Sequence, residues 1–545
     1  MKNKRKQKWI LIMGILAIFA FYAFKQKREK AEQKRPNILF AIMDDVTYQH
    51  LGAYGCSWVK TPNFDRIAKN GLLFKNAYTP NAKCAPSRSC IVTGRNSWQL
   101  EEAANHWSYF PAKFRSFAEV LAENGYQVGF TGKGVSPVVA KNTDGSPRQM
   151  LVNAFNKITT VPPTPQISNV DYAANFTEFL KSTKGKPFFF WYGGLEPHRS
   201  YEYGSGLNKG GKKLSDVPDT DIYPFWPKAD SVRTDLLDYA FEIEYFDKQL
   251  GKMLKQLEEN GQLSNTLIVV TSDNGMPFPR VKGQEYEYSN HLPLAMMWAD
   301  GIKHPGRKID DYISFIDFAP TFLQLADVRK DKNPMAAITG KSLVDIFSSD
   351  QSGIIAKDRN FVLVGKERHD VGRPNDEGYP IRGIFEEHML FLKNFKPDRW
   401  PSGDPITGYL NTDGSPTKTL CLNNVYATDD RFKYWLWNFG KRPDEELYDI
   451  ARDPQCMNNL IHQSKYLATI KRLRTKMLAK LTEQHDPRVL GEGDIFDHYR
   501  YSDTKSVNFY ERYMAKDPTL GKGWVNKTDF QDISKLPNAL KSRNK

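Results

Sequence analysis

Hydrophobic and polar positions divide this chain into two textures. Through the first half, short unbroken apolar runs alternate with stretches of helical period. RPNILFAIMDD (Arg35 to Asp45) is apolar through its middle and closes on two acids. It reads as a buried strand carrying carboxylates at its C-terminal end. Phe117 to Asn124 has helical spacing and leads through Gly125 into YQVGFTGKG, and PFFFWYGG (Pro187 to Gly194) is another apolar run. Ile243, Phe246, Leu250, Met253 and Leu257 recur at intervals of three and four, the stripe of a long amphipathic helix that stops at Asn260-Gly261. The run after it, NTLIVVTSDNG (Asn265 to Gly275), again ends in polar and acidic residues. Helices alternating with apolar strands predict an α/β sheet with helices on both faces. In such sheets ligands sit beyond the carboxyl ends of the strands.

From about residue 356 the pattern changes. FVLVGKE and IRGIFEEHMLFLKNF read as antiparallel strands, and Tyr466 to Gln484 as one amphipathic helix. A smaller α+β subdomain over residues 356–490 is expected beside a main domain over 36–355. Residues 491–545 have weak periodicity and read as an extended segment packed on the body. A chain of 545 residues is long for a single domain, which agrees with this division.

Charge changes the picture only at one end. Of the formal +14, residues 1–35 supply eleven Lys/Arg against two Glu, a net +9, and the other 510 residues carry +5. That is a basic terminus and not a nucleic-acid footprint, so no nucleic-acid partner is expected. The apolar run Trp9 to Phe24 sits inside this basic segment, without a clear small-x-small cleavage site. Residues 1–35 therefore read as an export signal, either a cleaved peptide or an uncleaved membrane anchor through residues 9–24. Both place the body across the membrane, in the periplasm or at the cell surface. The five cysteines, Cys56, Cys84, Cys90, Cys421 and Cys456, fit no zinc-ligand spacing. Cys56–Cys90 and Cys421–Cys456 are candidate bridges outside the cytoplasm, and the sequence does not assign them.

Candidate chemistry gathers at the strand ends. Asp44 and Asp45 close one strand, Asp273 and Asn274 another, and four oxygen ligands without His or Cys suit a hard cation such as Ca²⁺ or Mg²⁺. KCAPSRSCIVTGR (Lys83 to Arg95) places a cysteine four residues before an arginine, with no obvious base in the stretch to make a thiolate.

Cys84-Ala-Pro-Ser-Arg88 with Thr93-Gly94 resembles the signature of the type I sulfatases. The resemblance continues in family order through MDD (Met43 to Asp45), TGK (Thr131 to Lys133), EPH (Glu196 to His198), SDNG (Ser272 to Gly275), KGQEYE (Lys282 to Glu287) and ELYDIARDP (Glu446 to Pro454). It implies an alkaline-phosphatase-like α/β sandwich, with a central mostly parallel sheet and a smaller C-terminal α+β subdomain. It also implies that a maturation enzyme oxidises Cys84 to Cα-formylglycine, whose hydrated aldehyde attacks sulfur and later expels sulfate by re-forming the aldehyde. Carried over residue by residue, Asp44, Asp45, Asp273, Asn274 and the modified Cys84 hold a Ca²⁺ or Mg²⁺ ion. Arg88 pairs with those carboxylates or with the nucleophile oxygen, Lys133 and Lys282 grip the sulfate, and His198 protonates the leaving oxygen. One feature departs from the family: Gly134-Val135-Ser136 stands where a histidine two residues after Lys133 is usual. Either another group assists in its place, with His106 and His291 as candidates, or the site manages without it.

The resemblance is strongest to the branch that includes the heparan N-sulfatases and bacterial relatives, some of which act on algal glycans such as ulvan and carrageenan. The implied substrate is a sulfated polysaccharide or oligosaccharide. Arg368, His369, Arg373, Asp376 and Arg382 are candidate sugar-binding residues or ties between the two domains; as a sugar-binding basic cluster they predict a polyanionic glycan and poor turnover of small aryl sulfates. Two alternatives remain open: a phosphoesterase of the same superfamily, expected to show Ser or Thr as nucleophile and His-rich metal ligands, and an inactive membrane-anchored glycan-binding protein.

Overall fold

Alternation within NILFAIM sets the centre of the molecule. In the computed structural model, which describes residues 35–531 apart from 330 and 332, every residue of this segment is buried. Ile38, Phe40 and Ile42 join one apolar cluster, and Leu39, Ala41 and Met43 join another on the opposite face. A strand covered on both faces has no polar side to show, so it reads as an unbroken apolar run. Each fully buried Phe or Ile here contributes about 1.5–3 kcal/mol relative to exposure.

The strands of the first part are β1 (Asn37–Met43), β2 (Leu72–Tyr78), β3 (Ser108–Phe110), β4 (Gln127–Gly132), β5 (Val138–Ala140), β6 (Phe188–Gly193), β7 (Thr266–Ser272), β8 (Leu294–Met297) and β9 (Arg307–Ser314). Seven of them form one sheet in the order β4-β6-β1-β7-β8-β2-β9. All its pairings are parallel except those of β8, and β3 pairs with β5 in a separate parallel ribbon. The amphipathic stripe around Ile243 belongs to helix α2, which runs from Asp230 to Glu259 beyond an earlier helix, α1 (Cys84–Thr93). Helix α2 is longer than the sequence stripe because Val232, Leu236, Leu237 and Ala240 extend the same apolar face.

The second sheet comprises β10 (Phe361–Lys366), β11 (Ile381–Glu386), β12 (Met389–Asn394) and β13 (Glu445–Asp449), antiparallel throughout and in chain order. Helix α3 (Leu467–Glu483) lays Ile470, Leu473, Met477 and Leu481 in the same apolar cluster as Ile384 and Phe391. Described residues from Asn37 onward belong to one compact unit, so the two sheets are parts of a single body. The C-terminal segment docks through Tyr501, Phe509 and Val525, which join Val371 and Leu410. Its residues 532–545 lie outside the described residues, as does the signal or anchor segment through residue 34. Among the described residues no helix is long and apolar enough to cross a membrane. All five cysteines are free, so neither candidate bridge forms.

Four neighbouring parallel strands position the site. In the order β4, β6, β1, β7, their carboxyl ends deliver Lys133, then the loop to His198, then Asp44 and Asp45, then Asp273 and Asn274.

Candidate functional site

The cysteine motif is a helix N-terminus with its own stop. Lys83 is extended and Cys84 is the first residue of α1. Pro86 falls in the first turn, where its missing N–H costs no helical bond. Arg88 lies four residues on, so it shares a face with Cys84. The Thr93 hydroxyl donates back to the Ser89 carbonyl at 2.7 Å, and Gly94 ends the helix in the left-handed region at φ 67°. A Cβ there would lie 2.9 Å from the Ile338 side chain, so both conformation and space call for glycine.

Around this helix end the strand-end residues interlock. Arg88 Nε donates to Asp273 Oδ2 at 2.7 Å, and Arg88 Nη1 donates to the carbonyls of Lys133 and Gly134. Lys133 Nζ pairs with Asp44. Lys282 Nζ lies 2.7 Å from Asp45 Oδ2 and 2.8 Å from Asp413 Oδ2. The Asp45 N–H donates to Asp273 Oδ1, and Asn274 Nδ2 donates to Asp45 Oδ1 at 2.6 Å. Asp45 has φ 79°, a strained setting for a non-glycine residue of the kind that collects at functional sites. His198 gives its Nδ1 hydrogen to the Arg199 carbonyl, which leaves Nε2 for the site. Side-chain ligand atoms of Asp44, Asp45 and His198 lie within 4.8 Å of one another.

These residues fit a hard cation. Asp44 Oδ1 and Asn274 Oδ1 are buried oxygens without a hydrogen-bond partner among the described residues, in a protein interior where such groups are normally satisfied. Burial works against the Asp44 carboxylate, but Lys133 and Arg88 outweigh it and hold its pKa below the carboxylate range. Asp273 goes the other way, pushed up to about 8 by burial and then by the negative Asp44 beside it. Closely packed carboxyls that cannot all ionise comfortably are what a divalent ion relieves.

Cys84 has a base after all, from outside its own stretch. Its Sγ lies 3.2 Å from His106 Nε2, and His106 Nδ1 faces Asp370 Oδ1 at 2.9 Å, while Lys83 Nζ holds Asp370 Oδ2 at 2.8 Å. Burial alone would raise the thiol, but Lys133 and His106 outweigh it and bring it to about 5. Burial lowers His106, and the Cys84 and Asp370 charges more than reverse that. A cavity of about 590 Å³ opens over this end of the sheet, lined in part by Asp44, Cys84, His106, Lys133, His198 and Lys282. The sequence reading missed Asp370, Asp413, Trp107 and Trp524 on the same walls.

Several expected residues lie elsewhere. His291 is stacked on Tyr48 and Tyr78 with its Nδ1 2.5 Å from Glu287, and it does not line the cavity, so of the two histidines only His106 reaches Cys84. The expected sugar-binding cluster is a correction, because its members are buried and occupied. Arg368 donates to the carbonyls of Asp497 and Tyr499, and Asp376 accepts from the Asn508 N–H, so both hold the C-terminal segment. His369 is bonded to Asn81 at 2.7 Å, steadying the loop before Cys84. Arg373 donates to the Trp400, Pro401 and Glu377 carbonyls. Arg382 makes two bonds to Asp486 and one to Glu367. Arg382→Ala is expected to cost about 3–5 kcal/mol in a denaturant titration, because it strands the buried Asp486 charge. A change below about 1 kcal/mol would show the pair to be dispensable.

Comparison with known proteins agrees with this geometry. A family model described as Sulfatase matches residues 36–328. Human N-sulphoglucosamine sulphohydrolase is 26% identical over 490 residues, covering 85% of this chain and 93% of that protein. An ulvan-active sulfatase of Formosa agariphila is 25% identical over 507 residues, covering 87% of this chain and 80% of its own. A structure solved in complex with its substrate D-glucosamine-2-N,6-O-disulfate superposes with a TM-score of 0.59 at 22% identity, covering 83% of this chain and 99% of the other. Another, solved with k-i-k-neocarrahexaose, gives 0.58 at 19%, covering 89% and 99%. At these identities the superpositions show the shared alkaline-phosphatase-like fold.

Proposed function

Because the chain belongs to the sulfatase family and is a sulfuric ester hydrolase of glycan degradation, we propose that it works through Cys84 oxidised to Cα-formylglycine beside a calcium ion, with magnesium the alternative. The observation that carries this reading is the cysteine at a helix N-terminus, ringed by Arg88, Lys133 and Lys282 and facing a carboxylate and an amide with unsatisfied oxygens, Asp44 and Asn274. Asp44, Asp45, Asp273 and Asn274 would hold the cation, an oxygen set that suits calcium. Together the ion and the modified residue would supply the nucleophile and the charge stabilisation of the sulfuryl group.

This chain's own side chains do the rest. Lys133 and Lys282, which stand beside Asp44 and Asp45, would hold the sulfate oxygens as charge builds on them. Arg88 keeps Asp273 and the Lys133 carbonyl in place. His198, with Nδ1 fixed on the Arg199 carbonyl, delivers a proton from Nε2 to the leaving alcohol. His106, oriented by Asp370, stands against residue 84 and takes the place of the histidine absent after Lys133. A phosphoesterase reading is disfavoured by the cysteine and by a cation site with a single histidine near it. We place the body outside the cytoplasm, with residues 9–24 as signal or anchor and a formylglycine-generating enzyme as maturation partner.

The substrate is a sulfated glycan, heparan-like or algal. The cavity adds apolar walls from Val135, Pro137, Met150, Trp107 and Trp524, which suit a sugar face or an aryl ring equally. This reverses the expectation of poor aryl sulfate turnover, because the basic cluster on which it stood is structural. Sulfate release from heparan, ulvan and carrageenan fragments and from 4-nitrophenyl sulfate tests the reading. Release from the aryl ester and at least one glycan is expected. Turnover of 4-nitrophenyl phosphate in preference to every sulfate would overturn it.

A further inference from the structure

Segments that wall the cavity over Cys84 also wall a second hollow of similar size. We propose that this groove is a carbohydrate subsite for an uncharged sugar, next in the chain to the sugar bearing the reacting sulfate; the assignment rests on the glycan sulfatase reading above. Three separate segments that wall the first cavity pass, within two residues, into the walls of the groove. His198 leads into Arg199, Asp413 into Gly414, and Trp524 into Asn526. The two hollows measure about 590 and 570 Å³, each within the range of small-ligand sites. His198 stands on the side from which the alcohol leaves, so the glycan beyond the reacting sugar is directed into the groove.

The chemistry of the groove selects a neutral occupant. Among the described residues its one basic member, Arg199, is held by Asp235 through bonds of 2.7 and 2.9 Å, and no lysine or histidine lines it. Asp238 accepts from the N–H groups of Gly204 and Gly206, each at 2.8 Å. A sulfate or uronate carboxylate placed here would meet two carboxylates and no unpaired cation. Anion sites are built the opposite way, with charged donors free to fork onto the oxygens. What the groove does offer is hydroxyls and amides, among them Ser200, Ser231 and Asn423, and the ring of Tyr203, which is 61% exposed. Sugar hydroxyls pair with the former, and the C–H face of a pyranose covers the latter. The back wall is rigid. Asp235 and Asp238 project from α2, and Asp235 also accepts from the Thr417 hydroxyl at 2.6 Å, fixing the helix Pro416–Asn423 that forms the far side.

The test compares chain lengths on the mature enzyme. Disaccharide and tetrasaccharide fragments of heparan, ulvan and carrageenan, each with sulfate on the terminal sugar alone or also on its neighbour, are assayed beside 4-nitrophenyl sulfate. The tetrasaccharide of the accepted glycan is expected to exceed its disaccharide about tenfold in kcat/KM, and sulfate on the neighbouring sugar is expected to lower the rate. Tyr203→Ala and, separately, Asn423→Ala should bring the length ratio close to one, mainly through KM. Equal rates for both lengths in the native enzyme, or faster turnover with a sulfated neighbour, would overturn the subsite. So would an equal loss on 4-nitrophenyl sulfate in both variants, which marks a structural role. Hydrolysis of the aryl ester with no release from any glycan sinks the glycan reading itself, and the subsite with it, and is told apart by that pattern.

Discussion

Cys84→Ser is expected to reduce sulfate release by about 10³-fold or more, while leaving the protein folded and able to bind substrate. A serine in the first turn of α1 keeps an oxygen aimed into the cavity, and the surrounding Lys133, Lys282 and Arg88 still hold a sulfate. It lacks the aldehyde, so a sulfated residue formed there has no exit by carbonyl formation. Mass spectrometry of the peptide containing residue 84 supplies the companion measurement. Material made with a maturation enzyme should be lighter than the cysteine form by about 18 Da, as expected for conversion of a thiol to an aldehyde. High turnover by protein whose Cys84 is wholly unmodified would end the formylglycine mechanism. The thiol held against His106 would then be the nucleophile to examine.

Much of the candidate site's edge of the sheet was legible because burial forces a simple pattern on it. Strands β1, β6 and β7 are covered on both faces, so they appear as NILFAIM, FFFWYG and TLIVVTS, and their carboxyl ends mark themselves by a sudden change to charge. Asp44, Asp45, Asp273 and Asn274 sit at those changes. Helix α2 announced itself by its stripe and its Asn-Gly stop.

What was illegible has a common cause. Asp370 and Asp413 lie in loops without period, and their importance comes from partners far away in sequence, Lys83 and Lys282. The same distance hid the buried role of the arginines. Arg382 and Asp486 are 104 residues apart, and no local pattern couples them, so the sequence did not decide between a sugar-binding cluster and ties within the body. His291 is different, since Glu287 stands four residues before it, and that i,i+4 spacing was a usable sign of a paired histidine. Trp524 gave no sign at all, because the segment carrying it has no stripe and its partner, the Leu410 carbonyl, lies far away in sequence.

Removal of divalent metal is expected to abolish activity, and Ca²⁺ or Mg²⁺, with Zn²⁺ a poor substitute, to restore it. The donor set is oxygen, and the two orphan oxygens, Asp44 Oδ1 and Asn274 Oδ1, are the groups a cation would satisfy. Binding to the folded state alone also raises stability, by about 2.7 kcal/mol at a hundredfold excess over Kd, so calcium should shift the melting temperature upward. Asp273→Asn separates metal loss from misfolding. The amide keeps an oxygen to accept from Arg88 Nε and gives up only the bond from the Asp45 N–H, so the metal-free variant should melt only slightly below metal-free native protein. It removes the negative charge, however, and is expected to lose most of the calcium-dependent shift together with at least about 10²-fold in turnover. Restoration by Zn²⁺ in preference to Ca²⁺ would move the assignment toward a phosphatase-like centre. A chelated protein that keeps full activity and shows no melting shift with calcium would remove the cation from the mechanism and leave the carboxylates with only Arg88, Lys133 and Lys282 to balance them.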